Sequence, residues 1–167
     1  CSAAGVVIGA AAGYVTGVIV AGFKVPPFIA TLAGMQVASG LAFIVSKGGS
    51  IYEVPEGFTW LGRGADLLGI PNAVILMLLL YLAAHVFMTR TVLGRSIYAV
   101  GGNATAARYS GLNVNRVLRF AYTLSGALSG LGGVLLVSQL KSGAPTYGTM
   151  IELDVIAAVV VGGTSLS

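Results

Sequence analysis

Apolar residues in this chain come in long unbroken runs, without the alternation of a half-exposed strand or the every-third-or-fourth spacing of a surface helix. Four runs come close to the roughly 20 residues, at about 1.5 Å each, that a helix needs to cross a bilayer. They cover residues 1–22, 27–46, 72–89 and 120–138, and none contains Asp, Glu, Lys or Arg. Apart from Asn72 at the very start of the third run, Gln36 and His85 are their most polar side chains. A helix is the expected conformation for each run, because it closes the backbone hydrogen bonds within the segment where lipid offers none. A further apolar run, 155–163, is too short to cross and predicts either a truncated span or a re-entrant element. The expected fold is all-α: a polytopic membrane protein, residues 1–167 forming part of one transmembrane domain.

Composition points the same way. Hydrophobic residues make up 56% of the chain and charged residues 8%, against about 25% charged in an ordinary soluble domain. The mean hydropathy is +0.94. So few charges could not solvate the surface of a compact globule, whereas a lipid-facing protein has no need of them. The formal net charge of +4 comes from basic residues divided among loops, so no nucleic-acid partner is expected. Cys1 is the one cysteine, which rules out an internal disulfide and a cysteine metal cluster. It leads straight into apolar sequence, there is no initiator Met, and GGTSLS ends the chain in mid-run, so a fragment is expected. The first run lacks a basic leading region and is too long to read as a signal peptide.

Loop charges set the orientation, since short loops rich in Lys and Arg stay in the cytoplasm. The connection 90–119 holds Arg90, Arg95, Arg108, Arg116 and Arg119 with no acid, and the tight turn at 23–26 adds Lys24. If the spans alternate, both lie on one side. The opposite side receives loop 47–71, with Lys47 and Arg63 against Glu53, Glu56 and Asp66, and loop 139–154, with Lys141 against Glu152 and Asp154. The acids all share one face, so the basic connection is expected in the cytoplasm.

Glycine recurs every fourth residue in the first run, at Gly5, Gly9, Gly13 and Gly17, and again at Gly126 and Gly130 beside Ser125, Ser129 and Gly133. Such stripes let another helix approach closely, from the same chain or from a second subunit. Pro26 and Pro27 punctuate the start of the second span, where a missing amide proton costs little.

The polar connection has structure of its own. Asn103 suits an N-cap and Gly111 the left-handed residue that ends a helix, so residues 104–110, ATAARYS, predict a helix of about two turns. Asn113 and Asn115 offer a second N-cap before RVLRFAYTLSG enters the last span, with Arg116 and Arg119 able to snorkel. The small residues Ala104, Ala106 and Ala107 would let the short helix seat in a groove of a partner, with Arg108 and Tyr109 adding specific contacts. Contact with anionic headgroups is the alternative on these residues alone.

The run GRSIYAVGGNATAARYSGLNVNRV resembles a known family, together with VPPFIATLAGM at 25–35, LGIP at 68–71 and ELDVIAAVVVGGTSL at 152–166. These blocks are similar to the membrane-spanning permeases of bacterial ABC importers for ribose, xylose, galactose and related sugars. Those permeases are longer and carry further spans, so this sequence would be an internal portion. The resemblance implies that the cytoplasmic segment docks on the ATPase, through Gly101, Gly102, Asn103, Ala106, Ala107, Arg108, Ser110 and Gly111. It implies three protein partners: a cytoplasmic ATP-binding subunit, a periplasmic or extracellular sugar-binding protein, and a second permease subunit, identical or different. All would sit at the bacterial inner membrane.

No catalytic or metal-binding residue is expected. GGNATAAR lacks the Gly-Lys-Ser/Thr ending that holds phosphate and magnesium, so ATP and Mg belong to the partner ATPase and no cofactor to this chain. An intramembrane enzyme would need a nucleophile, a base and an oxyanion site at one depth. Ser125, Ser129, Ser165 and His85 supply the groups without a recognisable spacing. A secondary transporter would carry ionisable residues at mid-membrane, and these spans have none. A permease for branched-chain amino acids is the nearer alternative. Glu152 and Asp154 mark an outer gate or a binding-protein contact, or simply a solvated loop end. Thr31, Gln36, Ser39 and Tyr122 are the side chains able to meet a sugar.

Overall fold

The computed structural model describes residues 2–23, 25–52 and 71–163. Cys1, Lys24, Glu53, Glu56, Arg63, Asp66, Ser165 and most of the LGIP block lie outside the described residues, as do the expectations placed on them. The helices are α1 (Ser2–Phe23), α2 (Pro27–Val45), α3 (Asn72–Arg90), α4 (Val92–Gly102), α5 (Ala104–Tyr109), α6 (Val114–Leu140) and α7 (Ile151–Val161). α1, α2, α3 and α6 are long and apolar enough to cross a membrane. The described residues form no strand, so the architecture is all-α.

Local chemistry accounts for most boundaries. Pro26 precedes α2, and its carbonyl accepts from the amides of Ile29 and Ala30 at 3.1 and 3.2 Å. α2 ends where Lys47 and Gly48 turn left-handed, with φ of 51° and 71°. α6 begins at Val114, six residues ahead of the predicted span, because the Asn113 side chain caps it by accepting from the Arg116 amide at 3.2 Å. Its 27 residues make a rod of about 40 Å. That exceeds the roughly 30 Å of hydrocarbon, so the first turns with Arg116 and Arg119 project beyond it. α7 is an 11-residue helix that includes Glu152 and Asp154 in its first turn. It extends about 16 Å, half the hydrocarbon thickness.

One contact dominates the packing: α1 lies antiparallel along α6 for most of its length. The predicted glycine stripes face each other in this seam. A methyl group added at Gly9 would strike the Gly126 carbonyl oxygen and stand 2.9 Å from the Gly130 Cα. One added at Gly13 would strike the Tyr122 carbonyl oxygen and stand 3.0 Å from the Gly126 Cα. Gly5 meets Val134 and Gly17 meets Tyr122 and Arg119. The stripe therefore serves packing within the chain. Gly133 takes no part, since nothing lies within 4 Å of its missing Cβ.

The chain connections fall at two ends of this pair. At one end α4, α5 and the start of α6 gather together, and Arg108, the α5–α6 link and the start of α6 face the last turn of α1. At the other, Ile51 and Gly143 exchange two backbone hydrogen bonds of 2.8 Å, joining the segment after α2 to the segment after α6. The Ser142 and Tyr147 hydroxyls meet there at 2.7 Å. This separation matches spans that alternate in direction.

The seam leads to a direct prediction. Gly9→Ala or Gly126→Ala should force the backbones apart and cost about 1–3 kcal/mol, the usual penalty of overpacking. Gly40→Ala and Gly132→Ala face open space and should be neutral or slightly stabilising, since alanine is the better helix former. Thermal inactivation in detergent, compared across the four variants, checks this; equal midpoints would show that the seam does not hold the pair together.

Candidate functional site

The polar connection folds as a unit with its own core. Thr91 breaks the chain direction after α3 and caps α4, its hydroxyl accepting from the Gly94 amide at 3.0 Å and donating to the Phe87 carbonyl at 2.7 Å. The reversal is so tight that a methyl group at Gly94 would stand 2.6 Å from the Met88 Cα. Asn103 then ends α4 and caps α5, its side-chain oxygen accepting from the Ala106 amide at 2.9 Å. Gly111, with φ of 84°, closes α5: its amide donates to Arg108 and the Leu112 amide to Ala107, each at 3.1 Å. This double bond pattern around a left-handed residue satisfies two carbonyls that the helix end would leave free.

Val100 of α4, Ala107 of α5, and Val114 and Val117 of α6 form a buried cluster, with Ile97, Leu112 and Leu118 packed against it. The short helix is thus fastened to α6 by apolar contact as well as by sequence. Gly101, Gly102, Asn103, Ala106, Arg108, Ser110 and Gly111 are exposed and lie together on this unit. So are Ala104 and Tyr109, the latter 88% exposed.

Ala107 corrects the expectation for the small residues. It is only 5% exposed and points into the core, not toward a partner. A six-residue helix resting on two others must turn a side chain inward, and an alanine lets α5 lie close to Val100 and Val117. The sequence reading also missed α4 altogether. Its signals were Thr91 as an N-cap and the spacing of Ile97 and Val100, hidden because only one face of so short a helix is apolar.

Arg108 stands at a cavity of about 760 Å³ between the α5–α6 link and the end of α1. Val20, Ala21 and Gly22 form one wall, and Asn113, Asn115 and Leu118 contribute to the other. Arg119 turns back on its own helix, its Nε donating to the Asn115 carbonyl at 3.2 Å.

At the opposite end Glu152 is half-buried and Asp154 exposed, both in the first turn of α7. Carboxylates there are favoured by the unpaired amides of a helix start. His85 is exposed on α3, and Ser125 and Ser129 are exposed on α6. Among the described residues no three His, Cys, Asp or Glu side chains converge as a metal site. Of the side chains able to meet a sugar, Tyr122 belongs to the α1–α6 seam and Thr31 donates to the Pro27 and Phe28 carbonyls of its own helix.

Comparison with known proteins gives these features a context. The chain is 46% identical over 169 residues to the ribose import permease protein of Escherichia coli (strain K12), an alignment covering 99% of this chain and 52% of that protein. It is 46% identical over 153 residues to the ribose import permease protein of Bacillus subtilis (strain 168), covering 90% and 47%. With the L-arabinose ABC transporter permease protein of Azospirillum brasilense it shares 39% over 165 residues, covering 99% and 48%. These relatives are transport permeases, and the chain spans about half their length. No solved structure matches it. The profile of the family described as "Branched-chain amino acid transport system / permease component" matches residues 1–167. By that match, and with four helices fit to cross a membrane, the chain belongs to this family of transport-system permease components and is a multi-pass membrane protein.

Proposed function

We propose that the chain is part of the membrane-spanning permease subunit of an ABC importer, which moves a monosaccharide, a ribose-like pentose or a hexose, into the cytoplasm. The identity of 46% across 99% of the chain to a ribose import permease carries this reading. ATP and its Mg are handled by a separate cytoplasmic subunit, and this chain binds no cofactor and makes or breaks no bond. A sugar-binding protein delivers substrate on the far side, where Glu152 and Asp154 form part of a gate or of its contact. A second permease subunit, identical or different, completes the pathway in the bacterial inner membrane.

The exposed face of the α4–α5 unit is the docking surface for the ATPase in this reading. Gly101, Gly102, Asn103, Ala106, Arg108, Ser110 and Gly111 meet the partner, and Ala107 holds α5 in place from beneath. The basic residues of this end support the orientation.

Three outcomes test the proposal. In a background with Cys1→Ser, a cysteine at exposed Ser50 should react with an impermeant thiol reagent added outside intact cells, and one at exposed Thr105 should not; labelling of Thr105→Cys from outside would invert the topology. Arg108→Glu and Ala106→Trp should each weaken ATPase docking by about 2 kcal/mol or more, as misfits at an interface do. Both should insert normally but lose ATP-driven transport and co-purified ATPase, whereas a helix that merely touches lipid would keep its ATPase. Finally, the full-length permease with its ATPase and binding protein in proteoliposomes should take up a pentose or hexose when ATP is supplied. Uptake of branched-chain amino acids in place of sugars would favour the other substrate class named in the family description.

A further inference from the structure

The docking unit and the glycine seam share one uninterrupted helix. Val114 and Val117 of α6 belong to the buried cluster with Val100 and Ala107, and Arg119, two residues further on, already lies against Gly17 of α1. The seam then continues through Tyr122, Gly126, Gly130 and Val134. No loop separates the two contacts.

A seam of this kind resists sliding. Its central contacts, at Gly9, Gly13, Gly126 and Gly130, are with backbone atoms, which have no rotamers to change, and packed surfaces move between discrete fits and do not deform smoothly. Among the described residues the other helices meet this pair over shorter stretches. α3 meets α6 at the stacked rings of Phe87 and Phe120, 6.1 Å apart, and α7 makes no extended contact with another helix among the described residues. α2 touches α1 over a short stretch.

We infer that α1 and α6 move as one rigid lever with the α4–α5 unit as its handle, so that the pathway opens between this pair and the remaining helices and never between α1 and α6. Gly17 and Tyr122 act as positioning residues, locking the lever beside the handle. The inference rests on the importer reading and adds which parts move together.

The test locks the seam covalently. A methyl group built at Gly17 stands 3.0 Å from the Tyr122 Cβ, closer than the roughly 3.5–4.5 Å between the Cβ atoms of a disulfide, so a small separation of the two backbones brings the pair into bonding range. In the full-length permease with its ATPase and binding protein, Gly17→Cys with Tyr122→Cys in a Cys1→Ser background should cross-link on oxidation, and oxidation should leave the initial rate of ATP-driven uptake where it stood in the reduced pair. A fall of about tenfold or more, reversed by reductant, would mean that a required motion had been blocked, and would overturn the inference. Spin labels at exposed Ile19 and Leu128 provide a second reading that needs no transport. Their distance distribution should be the same with and without ATP, and a shift larger than its width would also overturn the lever. Absence of sugar uptake in the reduced pair and in the unmodified protein would count against the importer reading alone, and the spin labels would still decide whether α1 and α6 move together.

Discussion

Lipid gives two helices no hydrophobic reason to associate, because acyl chains solvate leucine as well as another helix does. What remains is close packing, and glycine permits the closest. At Gly9 and Gly126 the position of an absent Cβ falls on the other residue's carbonyl oxygen, so the hydrogen each glycine carries there donates to that oxygen. The same holds for Gly13 toward Tyr122 and Gly130 toward Gly5. Such Cα–H···O contacts are worth about 0.5–1 kcal/mol each. They add to dispersion between two backbones in van der Waals contact. Side chains on the other faces can then stay exposed, as Val7, Ile8, Leu128 and many others are.

Beyond the membrane the stabilising force changes because the solvent does. The buried cluster of Val100, Ala107, Val114 and Val117 lies in the connection that the charge pattern places in water. Burying apolar surface is favourable there. The connection therefore folds as a miniature soluble unit, with capped helices and a core, fused to the end of a membrane helix. That combination lets a very short helix hold a fixed position. α5 has six residues and would not be stable alone.

The far end is held by other means. Lys47 and Lys141 adopt left-handed conformations beside the ends of α2 and α6, and the segments that follow them are clipped together by the Ile51–Gly143 pair. Among the described residues no buried apolar cluster backs these two hydrogen bonds, which makes them a weaker fastening than the unit at the other end.

The sequence by itself determined the class of this protein, its four long apolar helices and the caps of the short helix α5. Those features depend on residues close together in the chain: an apolar run is long enough or it is not, Asn103 caps whatever helix follows it, and Gly111 tolerates φ of 84° wherever it sits. The glycine stripe was equally visible, but its partner was not, because Gly5–Gly17 could have met a neighbouring subunit as readily as Gly126 and Gly130. The tertiary structure alone decided that pairing. It also decided that Ala107 faces inward while Ala104 and Ala106 face out, and that α4 exists at all. Each of these is set by contact between residues distant in sequence, where spacing along the chain carries no information about which faces meet.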